Sequence, residues 1–425
     1  MNCLETKVNE LKVDVSFNPK QRSTSCVINR RVSWADMPAD ILFIIFGLLR
    51  DINNHHFLDL YQCLAVCRTW RFIAKQIWQN HILPTTPWLL QEEGKDKKIV
   101  FNTNPYMLHK HLRLDTKDEE SSFSFDFNSY GMKMYASYDG WLLLGTSLYQ
   151  PLLYNPITKL LLQLPPLPID LHLQLHSHMK YVSSRSRPTD PNCIICLKFS
   201  KKRDLFDNHG TSLIFCRPAS SSSWLELEED VEDIMFCGGQ FYAIAASGAL
   251  FVYNDDIIYG NTDPYTSMTW MKMKMGGEIC GIDSRSVIDV HCFFFYLVES
   301  KNGEILMIKR ILERDCEATK SFCIFKLKYW SDTVYGHYSY YYWDEISSLP
   351  EKEALLLGWN DCSSISMDEH SAYKSNCIYF YDEDLWGKVV AYGMYDLTRH
   401  SILKKSEESD LYNSRFFNPS KLSNL

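Results

Sequence analysis

The sequence predicts a mainly β protein with a small all-α unit near its N-terminus: three helices, followed by a β-propeller of about six blades, with seven inside the error of the spacing. Three observations carry that reading. Apolar residues recur at helical intervals only between Met37 and Trp78, and short apolar and aromatic runs divided by turn residues fill the chain from about 121 almost to its end. A turn followed by a strand also returns at intervals near 54 residues. The organisation expected is an N-terminal arm over 1–32, the helical unit over 33–82, a linker with the first propeller strands over 83–120, the propeller over 121–410 and a tail over 411–425.

The helical unit begins where Asp36 can cap and Pro38 suits a first turn, because its missing N–H costs nothing there. Ile41, Ile45, Leu48 and Leu49 then form one apolar stripe, and Leu42 and Phe46 follow a neighbouring row. Together they spread well beyond the ~100° that a globular helix usually turns inward, so two partners are implied for this helix. After the polar break from Asp51 to His56, a short helix is expected around 58–64. Val66, Trp70, Ile73, Ala74, Ile77 and Trp78 mark a third. A unit this small buries only part of its apolar surface, and the surplus must be covered by the chain behind it or by a second molecule.

The repeat is read from Asp139-Gly140-Trp141-Leu142, Ser247-Gly248-Ala249-Leu250 and Asn302-Gly303-Glu304-Ile305, whose glycines lie 108 and 55 residues apart. A missing instance is expected near Ile194, after Asp190-Pro191-Asn192, and a further one near Gly358. A period near 54 matches blades of about four strands, with a hairpin residue that tolerates positive φ. A pair of two-sheet sandwiches would fit the composition but not an even period.

At 425 residues the chain suits a small domain joined to a large repeat architecture, and its 14% aromatic content favours pleated strands. The formal net charge of -8 argues against general nucleic-acid binding, since neutralising phosphates takes a local surplus of Lys and Arg. The 14 cysteines follow no regular spacing and read as reduced, buried thiols. The segment from Met1 to Lys7 lacks the apolar core of a signal peptide, and the longest strongly apolar run, Ile41 to Leu49, is about half of a bilayer span. The expectation is a protein partner, no nucleic acid and no membrane, in the cytoplasm, the nucleus or both.

Met37-Pro38-Ala39-Asp40-Ile41-Leu42, Ile45-Phe46 and Val66-Cys67-Arg68-Thr69-Trp70-Arg71 resemble the F-box family in order and spacing. The remainder is similar to plant F-box proteins that carry a KIB-type β-propeller, a kelch-like family once described only as a domain of unknown function. Tyr138-Asp139-Gly140-Trp141-Leu142 with Leu153-Tyr154-Asn155-Pro156, Val231 to Phe236 with Phe241-Tyr242-Ala243-Ile244, and Ser363 to Ser366 with Asn376 to Asp382 carry that likeness.

The resemblance implies the substrate-recognition subunit of a Skp–cullin–F-box ubiquitin ligase, itself non-catalytic and without cofactor or metal. Pro38, Ile41, Ile45, Leu48, Leu49, Val66, Cys67 and Trp70 would meet a Skp-family adaptor and, through it, a cullin scaffold, while the propeller holds an unknown target protein. For Trp70 the other reading is a core anchor of the third helix. The competing functions are a ligand-binding or enzymatic propeller whose helical segment docks on its own chain, and an F-box regulator that does not lead to degradation.

Four further features stand out in the residues. Cys193 and Cys196 have CxxC spacing, but in a strand positions three apart face opposite sides and no second pair completes four ligands. His172, His176 and His178 share parity in a Pro-flanked stretch that reads as a loop. The acidic run from Leu225 to Asp233 reads as a strand end with a solvated face. Tyr338, Tyr340, Tyr341 and Tyr342, in the densest aromatic stretch, are the candidates for a target-binding surface, against packing between blades. No phosphate loop, nucleophile elbow, zinc-protease motif or dinucleotide fingerprint occurs.

Overall fold

The structure is a computed structural model. It describes residues 34, 37–49, 63–64, 66–80, 88–93, 98–102, 122–125, 133–145, 150–156, 158–168, 179–185, 187–201, 210–228, 231–245, 247–253, 293–313, 318–332, 338–358, 362–366, 373–383, 389–406 and 415–417.

Two helices are described near the N-terminus, α1 (Ala39–Leu49) and α2 (Arg68–Asn80). The short helix expected around 58–64 falls largely outside the described residues. Leu42 and Phe46 of α1 are fully buried against Trp70, Ile73, Ala74 and Ile77 of α2, with Cys63 sealing one end. The rings of Phe46 and Trp70 meet edge to face with centroids 5.1 Å apart. Of the two apolar rows on α1, it is therefore Leu42 and Phe46 that form the core, while Ile41 and Leu48 of the first row point to solvent.

The strands begin with β1 (Trp88–Glu93), β2 (Lys98–Asn102) and β3 (Ser122–Phe125). The first blade follows as β4 (Lys133–Tyr138), β5 (Trp141–Gly145), β6 (Pro151–Asn155) and β7 (Leu160–Gln163). The second is β8 (Met179–Ser183), β9 (Ile195–Lys201), β10 (Gly210–Cys216) and β11 (Leu225–Glu228). The third has three described strands, β12 (Val231–Cys237), β13 (Gln240–Ala245) and β14 (Leu250–Tyr253). The fourth is β15 (Phe293–Glu299), β16 (Ile305–Leu312), β17 (Thr319–Asp332) and β18 (Tyr338–Ile346). The fifth comprises β19 (Glu353–Leu357), β20 (Cys362–Ser366), β21 (Cys377–Glu383), β22 (Val389–Asp396) and β23 (Ser401–Ser406), and β24 (Arg415–Phe417) closes the list.

The first four blades are antiparallel meanders running outward in chain order. In the fifth, the chain enters at β19, turns inward to β20, then crosses outward to β21, which pairs parallel with β19. The inner strands β4, β8, β12, β15 and β20 touch in succession, which stacks the five sheets face to face. Apolar clusters fill each space between them: Leu143 and Leu153 against Tyr181 and Ile214, Ile194 and Phe215 against Phe241 and Tyr253, Ile244 and Leu250 against Leu297 and Trp343, and Val298 and Phe322 against Ile378 and Phe380. Burial on both faces explains why runs such as Ala354-Leu355-Leu356-Leu357 are continuously apolar instead of alternating.

Among the described residues the expected count of about six blades, or seven, is corrected to five. β1, β2 and β3 pair with one another and with the distant β24 in a sheet of their own, so dividing all the residues beyond about 95 by the period over-counts. The repeat also slips in phase. Gly140 and Gly303 sit in the first hairpins of blades one and four at φ 81° and 76°, but the first hairpin of blade three carries Gly238 and Gly239, and Gly248 belongs to its second hairpin. Gly358 is no turn glycine: a Cβ there would lie 2.1 Å from the Tyr381 hydroxyl, so close packing excludes a side chain.

Candidate interaction surfaces

On the helical pair, the side chains that point away from the core are also apolar. Leu48 is 71% exposed, Ile44 62%, Phe72 61% and Val66 51%, and Trp34, Ile41 and Phe43 are exposed as well. Helical geometry explains the split: with Leu42 and Phe46 turned inward, Ile41, Ile44 and Leu48 line the opposite side at i, i+3 and i+7. A unit of two described helices has no second core to give these residues.

The residues singled out from the sequence divide accordingly. Pro38, Ile41, Leu48 and Val66 are exposed, and Ile45 and Cys67 are half-buried against the core. The side chain of Leu49 lies outside the described residues. Trp70 is only 7% exposed, and its indole N–H donates to the Trp34 carbonyl at 3.1 Å, which ties the residues before α1 to α2. Sequence reasoning passed over Trp34, Phe43, Ile44 and Phe72. For Ile44 and Phe43 a signal was present, since α1 has no polar face and its only charged residue is Asp40.

The second surface lies on the long hairpin of β17 and β18, where Tyr341 pairs with Tyr329, Tyr342 with Lys328, Tyr340 with Trp330 and Tyr338 with Asp332. The rings of Tyr329 and Tyr341 lie 4.9 Å apart, and Tyr329 is exposed. Tyr342 is half-buried, and its cross-strand neighbour Lys328 holds Asp344 at 2.5 Å. The side chains of Tyr338 and Tyr340 lie outside the described residues. Two positions beyond Tyr341, Trp343 turns into the core between blades three and four and donates to the Gly248 carbonyl at 3.4 Å. The stretch packs inward at Trp343, and Tyr341 and Tyr342 are half-buried beside the exposed Tyr329.

The remaining candidates are structural. Cys193 lies in the cluster between blades one and two, Cys196 in that between blades two and three, so the pair cannot converge on one ion. Burial pushes both thiols up. His172, His176 and His178 lie outside the described residues. The acidic run ends differently from its expected solvated face. Asp233 is buried, binds the Lys180 ammonium at 2.6 Å and accepts the Leu297 amide at 2.8 Å, linking the inner strands of blades two, three and four.

A second buried network joins blades four and five. The Arg310 guanidinium pairs with the Asp382 carboxylate and donates to the hydroxyl groups of Thr319 at 2.8 Å and Tyr296 at 3.3 Å. Thr319 in turn donates to Asp382 at 2.5 Å. Burial pulls Lys198, which donates to the Glu232 carbonyl beside Asp233, below the usual lysine range.

A family model described as KIB1-4 beta-propeller matches residues 107–406, and one described as F-box-like matches residues 34–84. The Arabidopsis thaliana protein named F-box protein At1g10110 is 22% identical over 411 residues, covering 87% of this chain and 89% of its own. A second Arabidopsis thaliana sequence, At5g55150, is 23% identical over 373 residues, covering 83% of this chain and 86% of its own. Among solved structures, the N-terminal domain of Nup159 superposes with a TM-score of 0.31 at 9% identity, over 78% of this chain and 72% of that one, a likeness too loose to carry an argument.

Proposed function

The chain belongs to the KIB1-4 β-propeller family, and from that membership and the F-box-like helices ahead of the propeller we propose that it is the substrate-recognition subunit of a Skp–cullin–F-box ubiquitin ligase. One observation carries the reading: the helical unit, after filling its own core, still presents Ile41, Ile44, Leu48, Val66 and Phe72 to water. Covering such side chains is favourable by roughly 25 cal/mol per Å² of apolar area, so a docked adaptor recovers what folding alone leaves unused. The relatives named F-box proteins point the same way.

In this reading Ile41, Ile44, Leu48, Val66 and Phe72 meet a Skp-family adaptor, with Pro38, Ile45, Leu49 and Cys67 at their margin. Trp70 acts as a positioning residue by holding α1, α2 and Trp34 together. The adaptor is carried on a cullin scaffold, and the propeller presents a target protein, with Tyr341, Tyr342 and the neighbouring Tyr338 and Tyr340 as the contact surface. The chain supplies position and no chemistry. Holding a target lysine beside a ubiquitin thioester raises its effective concentration, and rate follows from that. The complex works in the cytoplasm, the nucleus or both.

The test uses exposed residues, because Trp70→Ala would empty the helical core and confuse misfolding with lost contact. The full chain carrying Ile44→Asp and Leu48→Asp should keep its circular dichroism spectrum and thermal transition. It should lose co-purification with a recombinant Arabidopsis thaliana Skp-family adaptor. Undiminished binding by this variant, or no binding by the unaltered chain, would sink the proposal.

A further inference from the structure

Beside its apolar residues, the exposed face of α2 carries charge of one sign only. Arg68, Arg71 and Lys75 occupy positions i, i+3 and i+7 and are all exposed, while Trp70, Ile73, Ala74 and Ile77 fill the opposite, buried side. The helix contains no Asp or Glu, in a chain whose 52 acidic residues outnumber its 44 Lys and Arg. Phe72, 61% exposed, stands one turn from both Arg68 and Lys75, so the cations border the apolar side chains directly. Among the described residues no ion pair takes up any of the three. Arg71 is anchored by its Nε–H, which donates to the Leu64 carbonyl at 2.9 Å, and its guanidinium is held in place on the surface.

We infer that the partner of this face is a protein whose apolar docking groove is bordered by Asp and Glu side chains, and that Arg68, Arg71 and Lys75 steer it onto the exposed residues of α1 and α2. This rests on the adaptor reading given above and adds the partner's charge to it. Unpaired cations edging an apolar patch contribute little when solvated, but they accelerate and orient the approach of an opposite field before the apolar side chains meet. Three charges interrupted by Phe72 and Val66 form too small and too apolar a surface for a phosphate backbone, which takes more Lys and Arg in register.

The experiment measures association and dissociation rates between the full chain and a recombinant Arabidopsis thaliana Skp-family adaptor while ionic strength rises from about 0.05 M to about 0.5 M, where the Debye length shrinks severalfold. The association rate should fall about tenfold across that range with little change in dissociation. The variant Arg68→Glu with Lys75→Glu should associate about tenfold more slowly at low salt and converge on the parent at high salt, with Arg68→Gln and Lys75→Gln between them. An association rate indifferent to salt, or a charge swap without effect, overturns the inference and leaves the adaptor reading standing. Absence of binding at every salt concentration removes both.

Discussion

The helical unit and the propeller depart from the apolar-inside arrangement in opposite directions. In the helical unit, apolar side chains remain outside: Ile44, Leu48 and Phe72 face water although nothing in α1 or α2 forces them there. In the propeller, charged side chains lie inside: Lys180, Asp233, Arg310 and Asp382 are buried beside the apolar clusters that fill the spaces between blades. An exposed leucine costs the free protein little and leaves a surface for another molecule. A buried ion costs a great deal unless its partner is in place, so it fixes one relative placement of neighbouring sheets. In the proposed function the first departure serves binding, while the second ties neighbouring blades together.

Breaking the propeller side of this contrast has the largest effect. Asp233→Ala leaves the Lys180 ammonium buried without its carboxylate and the Leu297 amide without its acceptor, and it should lower stability by about 3–5 kcal/mol, read as a drop in the urea midpoint of the β signal. The paired change Lys180→Met with Asp233→Leu should recover part of that loss, because removing both charges removes their desolvation penalty while the Leu297 amide still lacks its acceptor. Adaptor binding through α1 and α2 should survive both, provided the chain is assayed well below its transition. Gly393→Ala comes next. A Cβ at this position of β22 would stand 2.1 Å from the Phe380 ring, itself buried between blades four and five, so the ring must move, at about 1–3 kcal/mol by thermal denaturation.

The same contrast decides what could be read in advance. The α1 sequence, apolar on every side, announced both a core row and an outward row, but periodicity does not say which row is which. That choice is made by α2, whose apolar positions Trp70, Ile73 and Ala74 are matched by Leu42 and Phe46. The propeller's strands were legible as apolar runs, and several of its hairpins as glycines at positive φ. Its blade count was not, because β24 returns to pair with β1 from more than 300 residues away, and local pattern is blind to that pairing. Asp233 and Arg310 were illegible for a related reason: a charge in a strand is ordinarily a solvated position, and its partner, Lys180 or Asp382, lies in another blade.

The smallest predicted effect on stability is the sharpest for function. Gly47 lies inside α1, where glycine is a poor choice: it gives up more backbone freedom on folding than alanine and weakens a helix by roughly 0.5–1 kcal/mol. Nothing lies within 4 Å of where its Cβ would stand, so the fold has room for a side chain and no turn or positive φ demands its absence. Gly47→Ala should therefore raise the melting temperature of the helical unit modestly. If the partner's surface packs on this part of α1, the added methyl group meets it, and affinity for the adaptor should fall even as stability rises. Opposite movement of the two quantities would mark the backbone around Gly47 as part of the docking face. Stabilisation with unchanged affinity would confine that face to the Ile41, Ile44 and Leu48 row and leave the glycine unexplained by binding.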